Sequence, residues 1–100
     1  MDLTPKRPVE IEVHVDGSVV TVGLTGRLTV DSDFDSLRET FDGLLAQSYR
    51  DFVLDLRDVR LIDSAGLGEI VYLSLRVDRQ GGVLVVERAR WPFPIVFNVR

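Results

Sequence analysis

From Val9 to Asp16 the chain alternates strictly, with Val9, Ile11, Val13 and Val15 set against Glu10, Glu12, His14 and Asp16. A period of two sends successive side chains to opposite faces, so this segment predicts a strand with one wet face. Asp16-Gly17 supplies a tight turn, after which Val20, Val22 and Leu24 alternate again through Gly26. The pair predicts a β-hairpin. The period then lengthens. Phe34, Leu37, Phe41, Leu44 and Leu45 fall on one helical face, Ser32 and Asp35 have capping-box-like spacing, and Asp33 and Asp35 sit where the helix dipole favours carboxylates. A helix from about Asp33 to Gln47 follows, with Gly43 inside it at a cost of about 1 kcal/mol relative to alanine.

Phe52-Val53-Leu54-Asp55-Leu56 is an apolar run of strand length, expected to be a central strand covered on both faces, with a loop from Arg57 to Leu61 after it. Leu67, Ile70, Val71, Leu73, Leu75 and Val77 predict a second, well-buried helix starting near Ala65. Arg76 and Arg79 suit its last turn, and Gly81-Gly82 its stop. Val83-Leu84-Val85-Val86 reads as another buried strand. Beyond Pro92 and Pro94, the alternation of Ile95, Phe97 and Val99 predicts a final edge strand. The order β-β-α-β-α-β-β implies an α/β fold. Its sheet is small and mixed, antiparallel in the N-terminal hairpin and otherwise largely parallel, packed against helices. Residues 1–8 read as a loose arm and 9–100 as a single domain.

Composition narrows the chemistry. At 100 residues with 45% hydrophobic side chains, the chain can bury one core unaided. It has no cysteine and one histidine, so thiol nucleophiles, disulfides and histidine metal clusters are excluded, and the sequence fits a reducing cytoplasm. Net charge is −4 without a basic stripe, which argues against nucleic acid as a direct partner. No apolar run approaches the roughly 20 residues that span a bilayer, so no membrane partner is expected.

The stretch with most chemistry is Leu61-Ile62-Asp63-Ser64-Ala65-Gly66-Leu67-Gly68, where an apolar strand gives way to a helix and a serine is presented at the helix start. Four readings compete. Asp63 or Ser64 could simply cap the helix, although that explains neither Gly66 nor Gly68. Ser64 could be a hydrolytic nucleophile, but Ile62 replaces the first glycine of an elbow motif and the general base would have to be His14. Asp55, Asp58 and Asp63 could hold a hard cation. Finally, Ser64 could accept a phosphate, whose charge of about −1.5 to −2 the helix end stabilises and Asp63 opposes.

Phe52 to Leu56, the segment Ile62-Asp63-Ser64-Ala65-Gly66-Leu67-Gly68, and Gly81-Gly82-Val83-Leu84-Val85-Val86 together resemble the STAS domain of bacterial anti-sigma factor antagonists. Leu24-Thr25-Gly26-Arg27-Leu28 resembles that family's second strand. The resemblance covers roughly residues 9–87, and Asp-Ser-x-Gly-Leu-Gly is its specific part.

The resemblance implies a non-enzymatic, cytoplasmic binding protein with no cofactor of its own. Its partners would be an anti-sigma factor with serine-kinase activity, which phosphorylates Ser64 and thereby releases the antagonist, and a phosphatase that resets it. Implied partner-binding residues are Asp63, Ser64, Ala65, Gly66, Leu67, Gly68, Thr25, Arg27 and Thr29. The other reading is a STAS-like interaction module without phosphorylation, serving a transporter, stress-signalling or homodimeric assembly. Three departures bear on these expectations, one of them a spacing to the first helix that is longer by about one residue. Gly26-Arg27-Leu28-Thr29 stands where the family commonly has Gly-Glu-Leu-Asp, so the partner is expected to differ. The segment Arg90 to Arg100 replaces a usual last helix, a shortened or atypical C-terminal end that a second subunit could cover as a homodimer.

Overall fold

The computed structural model describes residues 5–87, which form six strands and two helices. The hairpin expected from the alternation is present: β2 (Glu10–Asp16) pairs antiparallel with β3 (Val19–Leu28), with Val13 opposite Val22 and Val15 opposite Val20. Gly17, in the connection, has φ 61, a backbone conformation that glycine adopts without the steric cost of a side chain. β5 (Asp51–Ile62) joins β3 in parallel and β6 (Val83–Glu87) joins β5 in parallel, so the main sheet runs β2-β3-β5-β6. A second, two-stranded parallel sheet pairs β1 (Arg7–Pro8) with β4 (Ser32–Asp33), bringing two residues of the expected arm against the domain.

α1 (Asp35–Ala46) and α2 (Ser64–Arg79) connect the parallel strands and pack on one face of the main sheet. The core lies in that layer: Leu37, Phe41, Leu44 and Leu45 from α1 and Ile70, Leu73 and Val77 from α2 meet Val20, Val22, Leu24, Phe52, Leu54 and Leu56 from the sheet. The rings of Phe41 and Phe52 are 5.2 Å apart and tilted by 37°, an arrangement suited to their quadrupoles.

Several expectations are corrected by this arrangement. The strand expected at Phe52 to Leu56 runs to Ile62, absorbing the expected loop, and only its helix-side residues are buried. No described element covers the other face of the sheet, and Val83 and Val85 of β6 are exposed rather than buried. Beyond Ile11, which packs against the core, β2 is wet on both faces: Val13 and Val15 share the core side with Val22 and Val20, yet they are 41% and 42% exposed. Ser32 does not cap α1. It is buried at the start of β4, where its hydroxyl accepts from Thr29 N–H and donates to the Arg27 carbonyl. Asp33 instead accepts from Asp35 N–H, and α1 begins at Asp35.

The C-terminal stop of α2 is as expected, with Gly81 at φ 82 and the Gly81 and Gly82 N–H groups donating to the Asp78 and Val77 carbonyls. The predicted edge strand at Ile95, Phe97 and Val99, and the whole segment Arg90 to Arg100, lie outside the described residues. None of the described helices is long and apolar enough to cross a membrane.

Candidate functional site

Asp63 sits at the junction of β5 and α2 and holds both ends of it. One carboxylate oxygen, Oδ1, accepts from Gly66 N–H at 3.0 Å and caps α2; Oδ2 accepts from Val30 N–H at 2.8 Å and ties the helix start to the turn after β3. These bonds, the one from Gly66 foremost and then that from Val30, favour the ionised form and hold its pKa below the usual carboxylate value. The cap and the anchor are thus one residue, and Asp63 is committed to structure.

That commitment leaves Ser64 as the exposed hydroxyl of the motif. Ser64 is the first residue of α2, and its side chain makes no hydrogen bond among the described residues. It stands beside the orphan N–H groups of the helix start, where an added anion is favoured. At about 100° per residue, Ser64, Leu67, Gly68, Val71 and Leu75 occupy one side of the helix, opposite the core-facing Gly66, Ile70, Leu73 and Val77. Leu67 and Leu75 are exposed and Val71 is half-buried, so α2 turns apolar side chains outward as well as inward, contrary to the buried helix expected from the sequence. Val30, 63% exposed, adds an apolar side chain on the turn bonded to Asp63.

The two glycines of the motif do different things. A Cβ on Gly66 would lie 2.0 Å from the Leu28 carbonyl oxygen, so this glycine is required for the helix to seat on β3. Gly68 has open space around it and belongs to the outer face. Of the two glycines expected at a partner surface, Gly66 is buried against Leu28 and Gly68 is exposed.

The expected site residues fall into two groups. Asp63 to Gly68 form the start of α2, whereas Thr25, Arg27 and Thr29 line a separate cavity with Arg7 and Arg60. The turn from Thr29 to Ser32 joins them, since Thr29, Asp31 and Ser32 line that cavity and Val30 bonds Asp63. Sequence reasoning missed Glu69. Its side chain is 5% exposed on the core side of α2, where it takes a two-pronged ion pair from Arg38 at 2.8 and 2.7 Å, and the Arg38 guanidinium stacks 4.4 Å from the Tyr72 ring centre. The hydrogen bonds that Arg38 donates to Glu69 raise the Arg38 pKa further. A charged residue at Ile70-like spacing on an apolar helix face was the available signal.

Hydrolysis and metal binding lose their geometry. His14 pairs with Thr21, seven residues along β3 from Leu28, whose carbonyl accepts from Asp63 N–H; at strand rise this is about 20 Å from the helix start. Among the described residues no three histidine or carboxylate side chains are placed to hold a metal, and Asp63 is separated from Asp55 and Asp58, which lie near Arg57 on β5.

Comparison with known proteins agrees with this layout. The family described as Mlab, STAS domain, matches residues 11–99. The anti-sigma factor antagonist SpoIIAA in its unphosphorylated form superimposes with a TM-score of 0.60 at 16% identity, over 78% of this chain and 70% of that one. The STAS domain of an antisigma-factor antagonist from Rhodobacter sphaeroides gives 0.56 at 16% identity, over 80% and 84%. A structure of Mglu gives 0.61 at 25% identity over 79% of this chain, which spans only 19% of the Mglu chain. The fold, the Asp63-capped helix start and the extent of the family match lead to one conclusion: the chain belongs to the STAS domain family.

Proposed function

We propose that the chain is an anti-sigma factor antagonist that binds an anti-sigma factor with serine-kinase activity through the outer face of α2 and is released when Ser64 is phosphorylated. The observation that carries this reading is the placement of an exposed, unbonded Ser64 hydroxyl at the head of an apolar outward stripe, Leu67, Val71 and Leu75, with bare backbone at Gly68. The resemblance to SpoIIAA, an anti-sigma factor antagonist, supports it.

The proposed switch is electrostatic. A neutral hydroxyl is tolerated in a docked, partly desolvated surface, whereas a phosphate carries about −1.5 to −2 charges into it. Because Asp63 is already ionised beside Ser64 and held in that state by Gly66 and Val30, the modified surface has two adjacent anionic groups. The helix end still stabilises the phosphate, so the domain stays folded while the interface is lost. Ser64 acts as the substrate of a partner's kinase, ATP and magnesium belong to that partner, and a phosphatase restores the binding form in the cytoplasm.

A second reading, an interaction module without phosphorylation in a transporter, stress-signalling or homodimeric assembly, is favoured by Arg27, which puts a positive charge where relatives of the first kind commonly carry an acid. Phosphopeptide mass spectrometry after incubation with ATP, magnesium and the cognate anti-sigma factor separates the two. The first reading expects phosphate on Ser64 and none in Ser64→Ala; an unmodified wild-type chain contradicts it.

A further inference from the structure

Three arginines from three elements converge on one cavity of about 310 Å³: Arg7 from β1, Arg27 from β3 and Arg60 from β5. We propose that this cavity binds a small soluble phosphate compound, independently of the Ser64 surface.

The backbone is shaped to gather these side chains. In the β3–β5 ladder Gly26 pairs with Val59 and Arg27 with Leu61, so Arg60 is an extra residue with no opposite number. Such bulges are rare in parallel pairs, and they turn a side chain out of its alternating direction. Gly26 stands at the same level with φ 108, a conformation that a side-chain-bearing residue rarely adopts. Arg7 is brought in by the short parallel sheet, where it lies opposite Ser32 and donates its N–H to the Asp31 carbonyl at 2.8 Å.

Like charges so gathered repel unless an anion answers them. Glu10 and Asp31 also line the cavity, but among the described residues no ion pair joins either of them to Arg7, Arg27 or Arg60. This is a local concentration of guanidinium groups on a chain of net charge −4. A planar carboxylate is matched by one arginine fork, whereas a phosphate offers oxygens in several directions to forks that approach from separate elements. Thr25 and Thr29, also in the lining, supply hydroxyl donors. The volume is at the small end of ligand cavities, which run from about 300 Å³ upward, and suits a phosphate with a small substituent.

The test is a titration of the isotopically labelled full chain with pyrophosphate at constant ionic strength, followed by the amide resonances of Gly26, Arg27, Thr29 and Arg60. The proposal expects saturable shifts at these positions and an affinity at least about tenfold weaker in Arg27→Gln and in Arg60→Gln, as loss of a charge-assisted contact implies. Both arginines are exposed, and the spectrum of each variant reports whether it is folded. Arg79→Gln, the same charge change at the far end of α2, should bind as wild type does, and so should Ser64→Ala. Non-saturable shifts, equal weakening by Arg79→Gln, or equally tight binding of the tricarboxylate tricarballylate overturns the proposal. None of these outcomes bears on phosphorylation of Ser64.

Discussion

Gly66 and Asp63 show how much of the motif is internal architecture. With a Cβ 2.0 Å from the Leu28 carbonyl oxygen, Gly66→Ala must push α2 off β3. It should destabilise the domain by about 3 kcal/mol in denaturant titration, at the top of the typical range for overpacking. Gly68→Ala, in open space on the same helix, should be neutral or slightly stabilising because alanine is the better helix former. Asp63 makes a pH-dependent contribution whose sign is fixed by its lowered pKa. A carboxyl that is more acidic folded than unfolded stabilises the fold fully above its ordinary value, and loses that stabilisation as pH falls through the lowered one. Asp63→Asn keeps an acceptor for Gly66 but cannot accept two N–H bonds as a carboxylate does. Its thermal midpoint should therefore lie below wild type at neutral pH, with the gap closing in acid. At this scale the sequence revealed the helix start and its serine. It could not divide the glycines between packing and approach, because Leu28 meets Gly66 across 38 positions of chain that no local pattern records.

The elements differ in how they hold the two helices to the sheet and to each other. α1 and α2 are linked by the Arg38–Glu69 pair and by a second, more exposed pair between Arg76 and Asp42. Arg38→Ala leaves the Glu69 carboxylate, 5% exposed, without its partner. The expected loss is about 1 to 2 kcal/mol by chemical denaturation, less than for a fully buried pair because the arginine is 45% exposed. The outward stripe of α2 should behave oppositely: Leu67→Ala and Leu75→Ala should change stability by less than about 1 kcal/mol, since both side chains are already exposed, while weakening partner binding by about tenfold together in a calorimetric titration. The hairpin, the period of α1 and the stop at Gly81 were legible because each is set by local alternation or backbone conformation. The length of β5 was not. Arg57, Asp58 and Arg60 resemble a polar loop, but the sheet face that no described element covers lets polar side chains stay in water while the backbone pairs with β3.

Across the described residues, one layer of helices covers one face of a four-stranded sheet, and the two candidate surfaces are built at the same end of it. The outer face of α2 carries Ser64, and the cavity at Arg27 and Arg60 lies beyond the turn that Asp63 holds through Val30. Thr25, Arg27 and Thr29 are near Asp63 along the chain fold, and for that reason one local pattern merges two places: their side chains line a different surface. The central claim is that charge at Ser64, rather than a change of fold, decides partner binding. Its most direct test is the affinity of the purified anti-sigma factor for wild type, Ser64→Ala and Ser64→Asp, measured by calorimetry on variants whose thermal midpoints match. The account predicts that Ser64→Ala binds as wild type does and that Ser64→Asp binds two to three orders of magnitude more weakly, a loss of about 3 to 4 kcal/mol; equal affinity for all three contradicts it.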